Sequence, residues 1–224
     1  MKIERAILPA LGLIFISVGL ALLLFFMPSL NQAAERVESL PSLTAATLAQ
    51  GPPGREGLLE GRISERNPTY FRDFVAYVRY EYQGRDNDND NEVRWVEDER
   101  VTPPLLLDLP GGRVQLENSN YDLQGDLIQW QTEPTLTWDN FSREGTKSYY
   151  GVERGNAVVA LGTVVEGAAG RLFRAEWLYR GARTAYIEGQ RGSARVVGWL
   201  GGVFSFIGAG ILGLGVWLWL RLGK

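Results

Sequence analysis

The chain has 224 residues, 23 Lys and Arg against 26 Asp and Glu, and neither cysteine nor histidine. That composition excludes disulfides, thiol catalysis, histidine-dependent triads and every zinc site built on Cys or His. Taking Lys2, Arg5, Arg221 and Lys224 from the basic count and Glu4 from the acidic one leaves 19 against 25 for the middle. A net negative middle argues against a nucleic-acid surface, which needs clustered positive charge.

A short basic tail, residues 1–5, is followed by an uncharged run from Ala6; the first charge after Arg5 is Glu35. A signal-peptide core is about 7–15 residues and ends in a small-x-small cleavage site. This run is longer, and Asn31-Gln32-Ala33 is a poor cleavage site. A retained transmembrane helix is expected over 6–30, with Pro9 in its first turns, where a missing N–H does least damage. Residues 31–55 read as a linker: Pro41, Ser42, Thr44, Thr47 and Gly51-Pro52-Pro53-Gly54 break any long period.

From Leu58 the pattern turns to short strands. Leu58–Ser64 closes at Asn67-Pro68, and Phe74–Tyr82 alternates with Phe74, Ala76, Val78, Tyr80 and Tyr82 on one face. Val93–Val101 is its expected partner across a polar loop. Leu105–Leu107 and Arg113–Leu116 flank Pro110-Gly111-Gly112, a hairpin signal. Val158–Val165 is a further strand; Phe173–Tyr179 is another, or the start of a short helix. This spacing, without a long amphipathic helix, predicts a mainly β domain over 56–195, a small antiparallel barrel or sandwich.

A second uncharged stretch, 196–220, lies between Arg195 and Arg221 and is followed by a tail, 221–224. At about 1.5 Å per residue it is long enough for a ~30 Å hydrocarbon layer. On a helical wheel Gly198, Gly201, Gly202, Ser205, Gly208, Ala209, Gly213 and Gly215 gather on one side, a smooth strip that lets another helix approach closely. Gly201, Ser205, Ala209 and Gly213 recur every four residues as its expected groove. The partner is the first helix or a second copy of the chain. The fold class is thus mainly β, flanked by N- and C-terminal transmembrane helices. The basic tails favour cytoplasmic termini and an extracytoplasmic domain in a bacterial cell membrane, although Arg180, Arg183, Arg191 and Arg195 crowd the opposite side. Those four arginines are candidates for anionic headgroups, so membrane lipid is one expected partner and another membrane protein a second.

Between the two spans, Leu59-Glu60-Gly61-Arg62-Ile63, the aromatic strand Phe74–Tyr82, the long hairpin to Trp95, Pro104–Asp108 running into Gly112-Arg113-Val114, Tyr150–Glu153 and Val158–Val165 follow one another. In this order the chain resembles the GIDE, or beside-a-membrane, domain of MULAN-type membrane E3 ubiquitin ligases, in a RING-less, prokaryote-like form. The resemblance covers residues 55–195 and implies a domain held against the bilayer by two spans. The family's ligases carry a RING of Cys and His, and this chain has neither, so ligase chemistry is not expected to carry over. The expected role is a scaffold or interaction module without a cofactor. A component of an E3-ligase-like system and a calcium-responsive envelope protein are the alternatives.

Calcium enters through Asp86, Asp88, Asp90, Glu92 and Glu97, which fall at positions 1, 3, 5, 7 and 12 of an EF-hand-like loop. Position 6 is Asn91 where that loop uses glycine, and the flanks read as strands; an acidic hairpin tip accounts for the same letters. Asp108, Glu117, Asp122 and Asp126 are the carboxylates available for acid–base work, which requires a cleft and a perturbed pKa. Carboxylates at turns and strand edges are the ordinary alternative, and no catalytic residue is expected.

Overall fold

A computed structural model describes residues 4–85, 93–132, 145–168 and 170–222. In chain order its elements are α1 (Glu4–Ala21), a π-helical turn (Leu22–Phe26), α2 (Met27–Ser39) and α3 (Ala45–Gln50). Ten strands follow: β1 (Glu56–Ile63), β2 (Phe74–Arg85), β3 (Val93–Val101), β4 (Leu106–Leu109), β5 (Gly112–Gln115), β6 (Asp122–Gly125), β7 (Ile128–Gln131), β8 (Lys147–Glu153), β9 (Ala157–Gly167) and β10 (Gly170–Arg180). The last element is α4 (Arg183–Leu222). These form two compact units, Met1–Ser39 with Thr184–Lys224, and Leu40–Arg183.

In the helical unit, Ile7–Ser39 and Arg183–Arg221 are each long and apolar enough to cross a membrane. Phe25, Trp199 and Phe206 stand exposed, 71%, 69% and 83%, as side chains in lipid contact do. Both helices outrun the expected spans 6–30 and 196–220. The 40 residues of α4 extend about 60 Å, some twice the hydrocarbon thickness. Charge limits what can lie in lipid but does not end a helix, and no proline interrupts the chain between Arg183 and Arg195. Beyond the apolar part, Arg191 pairs with Glu38.

The other unit holds two open sheets, ordered β5-β4-β1-β9-β10-β6 and β3-β2-β8-β7. The first is antiparallel except where β6 runs parallel to β10; the second is antiparallel throughout. Neither sheet closes on itself among the described residues. One apolar cluster joins them: Leu59, Ile63, Leu107, Val158, Phe173 and Leu178 of the larger sheet meet Val75, Ala76 and Val152 of the smaller. The hairpin at Pro110-Gly111 forms as expected, with Leu109 opposite Gly112 and Gly111 at φ +84°, where a side chain would be strained. Phe173–Tyr179 resolves as strand, within β10.

Two expectations change here. The linker 31–55 is largely ordered: α2 runs through Ser39, and Leu43 and Leu48 are buried in the sheet core. Thr44 caps α3, its hydroxyl accepting from Thr47 N–H while the Thr47 hydroxyl accepts from Thr44 N–H. This capping box has Thr where Glu or Gln is usual. Secondly, Phe74 does not share a face with Ala76, Val78 and Tyr80. A register shift between Phe74 and Ala76 moves its ring to the other side of the sheet, into a cluster with Tyr77 and Tyr149.

Candidate functional site

Strand alternation places Val78 and Tyr80 of β2, Trp95 and Arg100 of β3 and Tyr150 of β8 on the same side of the smaller sheet. Ala76 and Val152 on that side are covered by the core, whereas farther along the strands the cover thins to Leu123 and Leu127. The result is a cavity of about 460 Å³ lined by Val78, Tyr80, Trp95, Arg100, Leu123, Leu127 and Tyr150. That is the size and character of a small-ligand or side-chain pocket: apolar walls with few polar groups. The Tyr80 and Tyr150 rings meet at 80° with centroids 5.8 Å apart, forming a corner, and Trp95 leans on Tyr82 at 5.4 Å.

Arg100 and Tyr150 are tied down by hydrogen bonds. Arg100 donates from Nε to Glu97 Oε1 at 2.8 Å, from Nη2 to Glu97 Oε2 at 3.1 Å and from Nη1 to Asp122 Oδ1 at 3.1 Å. The guanidinium holds the Glu97 carboxyl below its usual range, and Glu97 in turn raises Arg100. Gln129 Nε2 donates to the Tyr150 hydroxyl at 3.1 Å and to Ser148 Oγ at 3.2 Å. On the opposite side of the same sheet, Asp98 accepts from Arg79 and Lys147 and is pulled down to about 2, chiefly by the Arg79 hydrogen bond. Tyr77 there is pushed up to about 12, first by burial and then by Glu99.

The small residues of α4 divide. Ala194, Gly201, Gly208 and Gly215 recur every seven residues and are buried. A Cβ on Gly201 or Gly208 would meet the carbonyl of Gly19 or Gly12 of α1 at 3.0 or 2.7 Å, and one on Gly215 would meet Pro9. Gly198 faces Met27, and Ser205 lies against Gly19. Gly202, Ala209 and Gly213, nominated with them, are exposed, and a Cβ on Gly202 or Gly213 would meet nothing. A four-residue step drifts around a helix, whereas a seven-residue step stays on a seam between two supercoiled helices.

The arginines proposed for headgroups have protein partners. Arg180 binds Asn156 Oδ1 and the Asp126 carbonyl, Arg183 binds Glu60, Ser42 and the Leu40 carbonyl, and Arg191 binds Glu38. Arg195 donates to the Arg191 carbonyl at 3.4 Å. The four carboxylates considered for acid–base work each sit against a different arginine: Asp108 on Arg113, Glu117 on Arg174, Asp122 on Arg100 and Asp126 near Arg180. Hydrogen bonds from Ser64 and Arg113 hold Asp108 below the usual carboxylate range, and Arg174 does so for Glu117. Of the calcium candidates, Asp86, Asp88, Asp90 and Glu92 lie outside the described residues; Glu97 belongs to the Arg100 pair. Among the described residues no group of three or more His, Cys, Asp or Glu is arranged to hold a metal ion.

The cavity joins residues up to 72 positions apart in sequence, and only its β2 wall was visible as an aromatic alternation. Leu127 carried no signal of its own, and Tyr150 entered only through the order of segments in the family resemblance. Comparison with family models, curated proteins and solved structures finds no match.

Proposed function

We propose that the chain is a membrane-anchored interaction module, a GIDE-like β domain tethered at both ends to membrane spans and without ligase chemistry of its own. In this reading the two sheets are the layers of a small sandwich. Both termini are cytoplasmic, and the β unit projects outside the cytoplasm of a bacterial cell. Its partner is another membrane protein, and the aromatic cavity beside edge strand β3 is where that partner is gripped.

The cavity carries the reading. Aromatic side chains supply large contact area at low conformational cost, and a half-covered patch of them is a usual anchor point for recognition. The helix pair supports it from the other side: the glycine seam of α4 is occupied by α1 of the same chain, which leaves the β unit to do the recognising.

A photo-crosslinking residue at Trp95 or at Leu127, introduced in cells, tests it. The expected result is one discrete protein adduct common to both positions and absent from position 166, where the Glu166 side chain is 75% exposed. No protein adduct from either cavity position, or the same adduct from position 166, overturns the proposal. For orientation, a cysteine placed at 166 in this cysteine-free chain is expected to react with a membrane-impermeant maleimide in intact cells.

A further inference from the structure

We infer that the cavity is a receptor for an organic cation, a substituted ammonium group seated among Tyr80, Trp95 and Tyr150. The inference rests on the interaction-module reading only in using the same cavity. Three observations point to a cation rather than to any apolar group.

The first is the wall. The Tyr80 and Tyr150 rings meet at 80°, forming a corner, and Trp95 adds a third ring to the lining. Ring faces carry negative electrostatic potential and attract a cation within about 6 Å, most strongly where water is thinned out. The second is the charge beside the wall. Two carboxylates, Glu97 and Asp122, flank one guanidinium, Arg100, so the local sum is one negative charge. Their side chains are 38% and 71% exposed, accessible to an incoming group. The third is how Arg100 is spent. Three of its five N–H donors already bind carboxylate oxygens, so its charge is largely answered within the protein and two donors are left for an anion. A cation draws on none of these donors and meets the carboxylates instead. The cavity volume, about 460 Å³, holds a quaternary ammonium with part of the chain that bears it.

The shared chemistry is that of a choline lipid headgroup and of a soluble alkylammonium compound. The test uses the full chain in nanodiscs of phosphatidylglycerol and phosphatidylethanolamine, with fluorotryptophan incorporated and the Trp95 resonance assigned by Trp95→Phe. Choline is titrated against 3,3-dimethylbutan-1-ol, which has its shape without its charge. Choline is expected to shift the Trp95 resonance and to bind at least about tenfold more tightly than the alcohol. Glu97→Gln is expected to weaken choline severalfold while leaving the alcohol unchanged; its resonance spectrum shows directly whether it is folded. Tyr150→Phe, which keeps the ring and loses the hydroxyl, is expected to retain choline binding. Equal affinity for the two probes, or no response of Trp95 to either, overturns the inference.

Phosphatidylcholine in the nanodisc separates the sources. A Trp95 shift without added probe identifies a lipid headgroup, and a shift only with free choline identifies a soluble ligand; each supports a cation site. Adducts from Trp95 and Leu127 together with equal probe affinities defeat the cation and spare the module. Choline preference without any protein adduct does the reverse.

Discussion

The two units of this chain are held together in opposite ways. Along the helix pair the closest contacts are between backbones: Gly12 and Gly19 of α1 face Gly201, Ser205 and Gly208 of α4. In the β unit the side chains are the contact, with Leu58, Leu59, Leu161, Phe173 and Leu178 at 1% exposure or less. The difference is the one that lipid and water select for, and the two helices are long and apolar enough to cross a membrane. Lipid tails are as apolar as leucine, so bulk gains a membrane helix nothing, and close van der Waals approach is what remains. Water rewards burial of bulk, at about 25 cal/mol per Å². Removing atoms should therefore break one unit, and adding atoms should break the other.

The largest effect is expected from Phe173→Ala. Phe173 is 0% exposed in the shared core, and truncation of a buried phenylalanine costs about 3–5 kcal/mol. Denaturant unfolding followed by near-ultraviolet circular dichroism should show that loss. Crosslinking between cysteines placed on α1 and α4 should not change. Loss of the helix crosslinks as well would mean that the two units are one cooperative structure.

Next comes a single methyl group in the seam. A Cβ on Gly19 would lie 2.6 Å from the Gly201 carbonyl and 2.7 Å from Ser205 N, both backbone, so Gly19→Ala must push the helices apart. Overpacking of this kind costs roughly 1–3 kcal/mol, enough to lower crosslinking between the helices about tenfold. Unchanged crosslinking would remove close backbone approach as the organising contact.

How much of this could be read beforehand also divides by unit. Hydrophobic runs marked both apolar helices, since charge is excluded from lipid, and alternation marked β2 and the Pro110-Gly111 hairpin. The ends of the helices could not be read from charge, because the polar turns Glu35–Ser39 and Arg183–Arg195 remain helical. The phase of α1 was hidden too. Gly12 and Gly19 are seven apart, but Met27, which faces Gly198, is eight beyond Gly19. The π turn at Leu22–Phe26 absorbs the extra residue and turns Phe26 outward, 58% exposed. In the candidate site, β2 declared itself, whereas the Arg100 tie to Asp122 joins two sheets and has no local signature.

The β unit also has a charged layer for which the helix pair offers no counterpart within its apolar seam. Asp98 is drawn from its ordinary 3.8 to about 2 by Arg79 and Lys147. A carboxyl depressed on folding contributes stability that is fully present above its unfolded pKa and lost as pH falls through the folded one. The window therefore runs from about pH 4 down to about pH 2. At 1.36 kcal/mol per unit, and with screening of a partly exposed pair, Asp98→Asn should cost about 1–2 kcal/mol at pH 7. Unfolding curves of the two proteins should converge towards pH 2. A constant gap across that range would mean that the effect is one of shape, not charge.

The smallest expected effect sharpens the comparison most, because it opposes two substitutions of the same kind four residues apart. Ser205 and Ala209 are both small, both on the glycine-rich side of α4, and a four-residue groove would contain both. In the structure Ser205 lies against the Gly19 backbone, whereas Ala209 is exposed. Ser205→Leu therefore has to find room between two backbones and should behave like Gly19→Ala. Ala209→Leu adds the same bulk on the exposed side, where in a bilayer leucine and tail are equivalent, and should stay within about 0.5 kcal/mol. The measurement is crosslinking between α1 and α4 at one fixed cysteine pair, repeated in each variant. If Ala209→Leu disrupts the pair as strongly as Ser205→Leu, the seam follows the four-residue step after all. If only Ser205→Leu does, the seven-residue spacing of Ala194, Gly201, Gly208 and Gly215 is the pattern that packs.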